Sequence, residues 1–129
     1  MNEDNPVRAI EDLIRVLSSG DYLSMREAAQ FIEFYAYFDK AVLDALNKQI
    51  TERYLDENSE KIELDSVAWL CRALARSTAP EYKDTIVMVK DKATNKRLRK
   101  YAKRYLKFYK PKKIKKKKKK KKKRVRRVL

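Results

Sequence analysis

Apolar residues in the first 109 positions recur every three or four residues, which is the spacing of one buried face of an α-helix. The first such segment carries Val7, Ile10, Leu13, Ile14 and Leu17. Asn5 is a favourable N-cap, and Pro6 suits the first helical position because a backbone N–H has no helical partner there. The polar run 18–21, which contains Gly20, is expected to end this helix.

The second stretch is rich in aromatic side chains, which are Phe31, Phe34, Tyr35, Tyr37 and Phe38. Ser24 and Glu27 match the capping box Ser-x-x-Glu, which predicts that a second helix begins at Ser24. Asp39 is a candidate cap for a third helix. The apolar face of this third helix is formed by Leu43, Leu46, Ile50 and Tyr54. Because nothing between the two segments is a strong helix breaker, residues 24–58 are predicted to form either two helices or one long helix.

Three further helices are predicted after the polar loop 56–61. Asp65 is the candidate cap of the fourth helix, the stretch 77–80 separates it from the fifth, and Asn95 caps the sixth. The apolar stripes are Val67, Leu70, Cys71 and Leu74 in the fourth helix, Tyr82, Ile86 and Val89 in the fifth, and Leu98, Tyr101, Ala102, Tyr105, Leu106 and Tyr109 in the sixth. Pro111 is expected to stop the sixth helix.

Turn-forming residues are scarce, since the chain contains one glycine and three prolines. An all-β domain needs many tight turns, so this composition argues against one. The sequence predicts an all-α domain over residues 1–109, built as a short stack of antiparallel helical hairpins, followed by a disordered basic tail over residues 110–129. A fragment of an α-solenoid and a small helical bundle both fit this pattern.

The fourth and sixth helices repeat each other at an offset of 31 residues. At that offset Val67, Leu70, Cys71 and Leu74 align with Leu98, Tyr101, Ala102 and Tyr105. A helical unit that recurs at about 30–40 residues is typical of solenoid proteins. Residues 98–106 read Leu-Arg-Lys-Tyr-Ala-Lys-Arg-Tyr-Leu. This string resembles the first helix of HEAT-type helical repeats, which often reads Val-Arg-x-x-Ala-x-x-x-Leu, and the resemblance covers residues 65–109.

The resemblance to HEAT-type repeats implies a binding protein rather than an enzyme. HEAT-like arrays usually bind proteins, occasionally bind nucleic acids and are rarely catalytic. The resemblance also implies that the sixth helix opens a repeat whose second helix is missing, so part of the face from Leu98 to Tyr109 needs cover from elsewhere. A second copy of the chain, a protein partner or the first half of the chain is expected to supply that cover.

The formal net charge of +16 lies almost entirely in the tail. Residues 110–129 hold 15 basic and no acidic residues, and nine of them are the consecutive lysines 115–123. Residues 1–65 hold 7 basic and 15 acidic residues, whereas residues 66–109 hold 12 basic and 3 acidic residues. Dense like charge repels itself and cannot bury a core, so the tail is predicted to be a disordered arm that attracts polyanions.

The polar face of the sixth helix continues this basic surface. The candidate polyanion-binding residues are Lys96, Arg97, Arg99, Lys100, Lys103, Arg104, Lys107 and Lys110 in or beside the helix, and Lys115, Lys119, Lys123, Arg124, Arg126 and Arg127 in the tail. Tyr101 and Tyr105 belong to the apolar stripe and are expected to pack in the core. Phe108 and Tyr109, at the end of the helix, are candidates for exposed rings that stack on bases.

Four roles fit the tail. They are nonspecific binding of nucleic acid, a targeting signal, attachment to a membrane surface, and a low-complexity extension without selected function. Nucleic-acid binding is preferred because lysines that neutralise phosphates release counterions, and the tail has few apolar anchors for a membrane. RNA is the preferred nucleic acid. The sequence shows no helix-turn-helix with a short glycine turn, and so no motif for sequence-specific binding of DNA.

Residue types that carry catalysis are scarce. The chain has no histidine, and its single glycine excludes a phosphate-binding loop or a dinucleotide fingerprint. Cys71 lies on an apolar helical face and is expected to be a core residue. Glu60, Glu63 and Asp65 cluster near a turn, but their spacing does not fit a calcium-binding loop. We therefore expect helix capping from these carboxylates, and no catalytic residue, no metal site and no cofactor.

The sequence predicts a cytoplasmic protein, or a nuclear one in a eukaryote. The lone cysteine suggests a reducing compartment, the first residues lack an apolar signal, and no apolar run approaches the ~20 residues that span a bilayer. The leading function is a noncatalytic binding protein whose basic last helix and polylysine tail engage a polyanion, RNA in particular. The alternative is a HEAT-like protein-interaction module whose tail is incidental or a targeting signal.

Overall fold

The computed structural model describes residues 6–109. These residues form six α-helices, which are α1 (Pro6–Leu17), α2 (Tyr22–Tyr35), α3 (Lys40–Arg53), α4 (Lys61–Arg76), α5 (Lys83–Lys92) and α6 (Lys96–Tyr105). Two 3₁₀ turns, Pro80–Tyr82 and Leu106–Tyr109, precede α5 and follow α6. This part of the chain contains no β-strand, so the predicted all-α class is confirmed. The predicted cap Asn5, the stop at Pro111 and the disordered tail lie outside the described residues.

The turn between α1 and α2 is where the sequence predicted it, but the cap of α2 is not. Gly20 adopts a φ of +83°, a left-handed conformation that costs glycine little. Asp21, rather than Ser24, is the N-cap of α2, and its Oδ2 accepts hydrogen bonds from both N and Oγ of Ser24. The predicted capping box Ser24–Glu27 is therefore wrong, because the aspartate three residues earlier already satisfies the N–H of Ser24.

Residues 24–58 form two helices rather than one. Ala36 ends α2 in the left-handed region with a φ of 57°, and the N–H of Tyr37 donates to the carbonyl oxygen of Ile32 at 3.0 Å. This is the usual arrangement of a helix C-terminus, here made without a glycine. Asp39 is the N-cap residue of α3, as predicted, although its side chain makes no capping hydrogen bond.

The fourth helix begins one turn earlier than predicted. Glu60 is its N-cap, and the N–H of Glu60 donates to Oε1 of Glu63 at 3.4 Å, which completes a capping box formed by two glutamates. Asp65 therefore lies inside α4 and does not cap it. Its Oδ2 instead lies 3.2 Å from Nζ of Lys61 and 3.8 Å from NH1 of Arg26. The prediction placed the start too late because Leu64, which is buried, extends the apolar face by a turn.

The centre of the core is α4. It packs against α2, α3 and α6, while α5 packs against α6. Small side chains let the neighbouring helices approach α4 closely, and its buried residues are Leu64, Ser66, Val67, Ala68, Leu70, Cys71, Ala73, Leu74 and Ala75. One hydrophobic cluster connects residues from Leu13 on α1 to Tyr105 on α6. The described residues therefore share a single core.

The apolar face of α6 is covered by the chain itself. Leu98 and Ala102 are fully buried and Tyr105 is 7% exposed, because α4 and α5 pack over this face. The two preceding helices therefore cover these three residues, whereas Tyr101, Leu106 and Tyr109 of the same stripe are half-buried. Additional cover from a partner, a second copy or the first half of the chain stays a prediction. The polar face of α6 is left as its accessible surface.

Candidate polyanion-binding site

Asn95 positions α6 through both ends of its side-chain amide. Its Oδ1 accepts hydrogen bonds from the N–H groups of Arg97 at 2.8 Å and Leu98 at 3.2 Å, which confirms the predicted N-cap. Its Nδ2 donates to the carbonyl oxygens of Glu57 at 3.0 Å and Asn58 at 2.9 Å. The start of α6 is therefore held against the loop that precedes α4.

A second contact holds the same loop. Thr94 donates its N–H to the carbonyl oxygen of Tyr54 at 3.3 Å and its hydroxyl to that of Leu55 at 2.6 Å. The first turns of α4 and α6 consequently lie side by side, although the two helices are far apart along the chain. Residues from both helices can act on one ligand there.

Most of the predicted basic residues on α6 reach solvent. The exposed ones are Lys96, Arg97, Lys100, Lys103, Arg104 and, in the following 3₁₀ turn, Lys107. Within residues 9–109 none of these six cations forms an ion pair with a carboxylate. No carboxylate of residues 9–109 therefore compensates their charges at short range. The remaining predicted residues, Lys110 and those in the tail, lie outside the described residues.

Arg99 differs from the other basic residues of α6 because it is half-buried. Its NH1 donates to the carbonyl oxygen of Ala93 at 2.6 Å and to that of Thr94 at 3.3 Å. These acceptors lie at the C-terminal end of α5, where helical carbonyl groups lack partners. Part of the guanidinium is thus used to join α5 to α6, and less of it is free for a ligand.

The aromatic rings of α6 form a stack that runs into the core. The ring of Tyr101 stacks on that of Tyr105 with centroids 6.2 Å apart, and Tyr105 stacks on Phe108 at 5.9 Å. Tyr105 is buried, whereas Tyr101 and Phe108 are half-buried. Arginines cover the outer rings, since Arg104 lies 5.8 Å from the centroid of Tyr101 and Arg76 lies 4.8 Å from that of Phe108. These rings therefore pack mainly within the protein.

Burial also shifts the ionisation of groups behind this surface. It raises the pKa of Tyr105 and that of Tyr109 to about 12, because a buried phenolate loses hydration. The same cause raises the pKa of the Cys71 thiol to about 12. The thiol of Cys71 is fully buried, which confirms it as a core residue and leaves it protonated at neutral pH.

A basic cavity of about 750 Å³ opens between the first turns of α4 and α6. Four cations line it, which are Lys61, Lys96, Arg97 and Lys100. The other lining residues are Ser59, Leu64, Asp65, Asn95 and Tyr101. Sequence reasoning missed the contribution of α4, because Lys61 belongs to an acidic stretch and only the contact between the helices brings it to α6. The hydrogen bonds from Asn95 to the loop before α4 are the local reason for this proximity.

A second feature that sequence reasoning missed is an exposed aromatic patch at the end of α2. Phe34 is 79% exposed and Tyr35 58% exposed. Their rings contact each other at 4.8 Å between centroids, and Phe31 lies 4.6 Å from Tyr35. We call Phe31, Phe34 and Tyr35 the aromatic patch. The sequence shows that this stretch is rich in aromatic residues, but only the structure shows that these three rings are exposed while Ile32 between them is buried.

Residues 6–109 contain neither a cluster of metal ligands nor a membrane-spanning helix. No group of three or more Cys, Asp or Glu side chains there could hold a metal ion. None of the helices there is both long enough and apolar enough to cross a bilayer.

Comparison with family models, with curated proteins and with solved structures finds no significant match to this chain. The resemblance of residues 65–109 to HEAT-type repeats therefore stays a prediction from the sequence.

Proposed function

We propose that this protein is a noncatalytic polyanion-binding protein and that its preferred polyanion is RNA. The basic face of α6 provides a rigid contact surface, and the lysine-rich segment 110–129 adds charge next to it. The observation that supports this function best is the set of six exposed cations from Lys96 to Lys107, none of which is ion-paired with a carboxylate within residues 9–109. Uncompensated cations on one face attract phosphates and release their counterions on binding.

The charge distribution adds to this proposal. Residues 66–109 carry a net charge of +9 and residues 1–65 a net charge of −8, so the basic charge is concentrated in the part of the chain that contains α6. A nucleic acid would therefore be attracted more strongly to the surface formed by residues 66–109 than to that formed by residues 1–65. The folded part acts as an oriented contact surface rather than as a uniformly basic particle.

The test is RNA binding by the full chain, measured by fluorescence anisotropy with a labelled single-stranded RNA in a salt series. We expect affinity to fall steeply between about 50 and about 200 mM salt. The variant Lys100→Gln/Lys103→Gln is expected to bind more weakly and to show a salt slope smaller by about 1.4, since each lysine that contacts a phosphate of a single strand contributes about 0.7.

The matched control is Lys40→Gln/Lys48→Gln, which removes the same charge from exposed positions of α3, a helix that packs against α1, α4 and α5. If this control weakens binding as much as the α6 variant does, net charge alone accounts for binding and the α6 face is not the site. Duplex DNA is included as a second ligand, because the three-residue connection between α5 and α6 has the length found in helix-turn-helix motifs. Tighter binding of the duplex would exclude RNA as the preferred polyanion.

A second candidate function is protein interaction through the aromatic patch. Large exposed rings such as that of Phe34 are typical of surfaces that bind proteins. The partner that the charges fit is a second copy of the chain, since its basic half complements the acidic half that carries the patch.

Sedimentation velocity of the full chain and of Phe34→Ser tests this candidate function. Concentration-dependent self-association that Phe34→Ser abolishes, while Leu55→Ser at another exposed apolar position leaves it intact, would support it. A monomer at all concentrations would exclude it. RNA binding by Phe34→Ser should equal that of the native chain, which separates the two functions.

A further inference from the structure

We propose that the basic cavity between α4 and α6 binds a terminal phosphate group, such as the 5′-phosphate of an RNA strand. This inference rests on the proposed function and adds a specific site to it. The basic face of α6 is exposed along the helix, whereas at its first turns the cavity adds a second wall from α4. A chain end enters such a cavity more easily than the middle of a strand does.

The charge of the cavity fits a phosphate. Its walls carry four basic residues and one acidic residue, Asp65. That carboxylate is 3.2 Å from Lys61 and 3.8 Å from Arg26, so two cations already neutralise it. The three cations on α6, which are Lys96, Arg97 and Lys100, have no carboxylate partner within residues 9–109. A terminal phosphate carries more charge than a phosphodiester does, and so gains more from this concentration of cations.

The cations, rather than the start of α6, provide the attraction. Oδ1 of Asn95 already accepts from the N–H groups of Arg97 and Leu98, so these donors are not free for a ligand. At the start of α4, the carboxylates of Glu60 and Glu63 belong to the capping box and do not line the cavity. Lys61 is the residue that distinguishes this site from the general surface of α6, because it projects from the other wall.

Polar and aromatic lining residues add selectivity for an oxygen-rich ligand. The hydroxyl of Ser59 lines the cavity beside Lys61 and can donate to a phosphate oxygen. Tyr101 also lines it, but its ring already stacks on Tyr105 and lies beneath Arg104. We therefore assign the cavity to the phosphate and not to stacking of a base.

The test compares two RNA strands of the same sequence, one with a 5′-phosphate and one with a 5′-hydroxyl, bound to the full chain. We expect the phosphorylated strand to bind about three- to tenfold more tightly, the gain of one or two charge-assisted contacts in an open cavity. Lys61→Gln should remove this preference, because the 5′-phosphorylated strand loses its contact with the α4 wall of the cavity. Lys48→Gln on α3 is the matched control and should keep the preference.

Each outcome decides the inference. Equal binding of the two strands by the native chain, or a preference that survives Lys61→Gln, overturns the cavity site and leaves the proposed function standing. If neither strand binds, the proposed function fails, and inorganic triphosphate becomes the deciding probe. Triphosphate binding that Lys61→Gln weakens would then assign the cavity to a free phosphorylated ligand, whereas absence of triphosphate binding would exclude a phosphate site altogether.

Discussion

The side-chain amide of Asn95 donates a hydrogen bond to the carbonyl oxygen of Asn58, which lies 37 residues earlier in the chain, at a distance of 2.9 Å. Asn58 is itself buried and has a φ of 48°, a left-handed conformation that asparagine tolerates better than most residues. Its Nδ2 donates to the carbonyl oxygens of Arg53 and Asp56. Through this pair the start of α6 and the loop before α4 are fixed together, and with them the two walls of the basic cavity.

Asn95→Asp tests the importance of this link. The aspartate retains the oxygen that caps α6, and its charge favours a helix N-terminus by about 0.3–1 kcal/mol. It also replaces a donor with an acceptor in front of two carbonyl oxygens, which costs about 1–3 kcal/mol. We therefore expect a net loss of unfolding free energy, measured by urea denaturation followed by far-UV circular dichroism. A variant as stable as the native chain would mean that the loop contacts of Asn95 contribute no more than the aspartate gains at the helix N-terminus.

Glu33 joins α2 to α4 and is expected to contribute to stability. Its Oε1 accepts from Nε of Arg72 at 2.8 Å, its Oε2 accepts from Nε of Arg76 at 3.2 Å, and its side chain is only 13% exposed. Glu33→Gln should lower the unfolding free energy by about 1–2 kcal/mol, a modest value because both arginines are partly exposed.

The matched control for Glu33→Gln is Glu27→Gln. Glu27 lies on the same helix and is exposed, so this substitution should change the unfolding free energy by less than about 0.5 kcal/mol. Thermal or urea denaturation of the two variants in parallel measures the difference. Equal effects would show that the two arginines do not stabilise the packing of α2 on α4.

Alkaline pH should destabilise the protein through its buried tyrosines. The pKa of Tyr105 and that of Tyr109 are raised by burial from 10.0 to about 12, so the folded chain keeps protons that the unfolded chain releases. Their contribution to stability is fully present below pH 10 and is lost as the pH rises towards 12. Urea denaturation at a series of pH values should show this loss. Tyr105→Phe should lose less unfolding free energy between pH 10 and 12 than the native chain does. An unchanged pH dependence in this variant would contradict a contribution from Tyr105.

Cys71 should be unreactive in the folded protein. Its thiol is fully buried, so a reagent cannot reach it. Its pKa is raised to about 12, so the reactive thiolate is scarce at neutral pH. We expect a thiol reagent to modify Cys71 only as fast as the protein unfolds, and to react promptly in denaturant. Rapid modification under native conditions would show that α4 opens locally. Cys71→Ala should be folded and serves as the blank for reagent-induced changes.

Apolar periodicity was sufficient to predict the all-α class and the buried face of α6, because core packing imposes that periodicity. It left open whether residues 24–58 form one helix or two, because the left-handed conformation of Ala36 that ends α2 has no glycine to signal it. Helix starts were less predictable. Aspartate and serine are both favoured N-cap residues. Which of Asp21 and Ser24 caps α2 depends on the residue at which the preceding turn ends. Glutamate is not a favoured N-cap residue. Glu60 nevertheless occupies the N-cap position, because the helix has to include Leu64 for that side chain to be buried in the core.

The candidate site was predicted only in part. The positions of the basic residues along α6 follow from helical spacing, and six of them are indeed exposed. The use of Arg99 to join α5 to α6 depends on where the last carbonyl groups of α5 lie, which no local pattern encodes. The approach of Lys61 to α6 likewise depends on tertiary contacts, so the basic cavity could not be predicted from the sequence.

The most direct test of the central claim compares RNA binding by the full chain with that of a chain ending at Tyr109, each in a salt series. The deletion removes 15 of the 34 basic residues and none of the described ones, and far-UV circular dichroism verifies that the helices remain. We predict that the shortened chain still binds, more weakly and with a smaller salt slope, and that Lys100→Gln/Lys103→Gln weakens it further. Failure of both chains to bind RNA at about 0.15 M salt would contradict polyanion binding as the function of this protein.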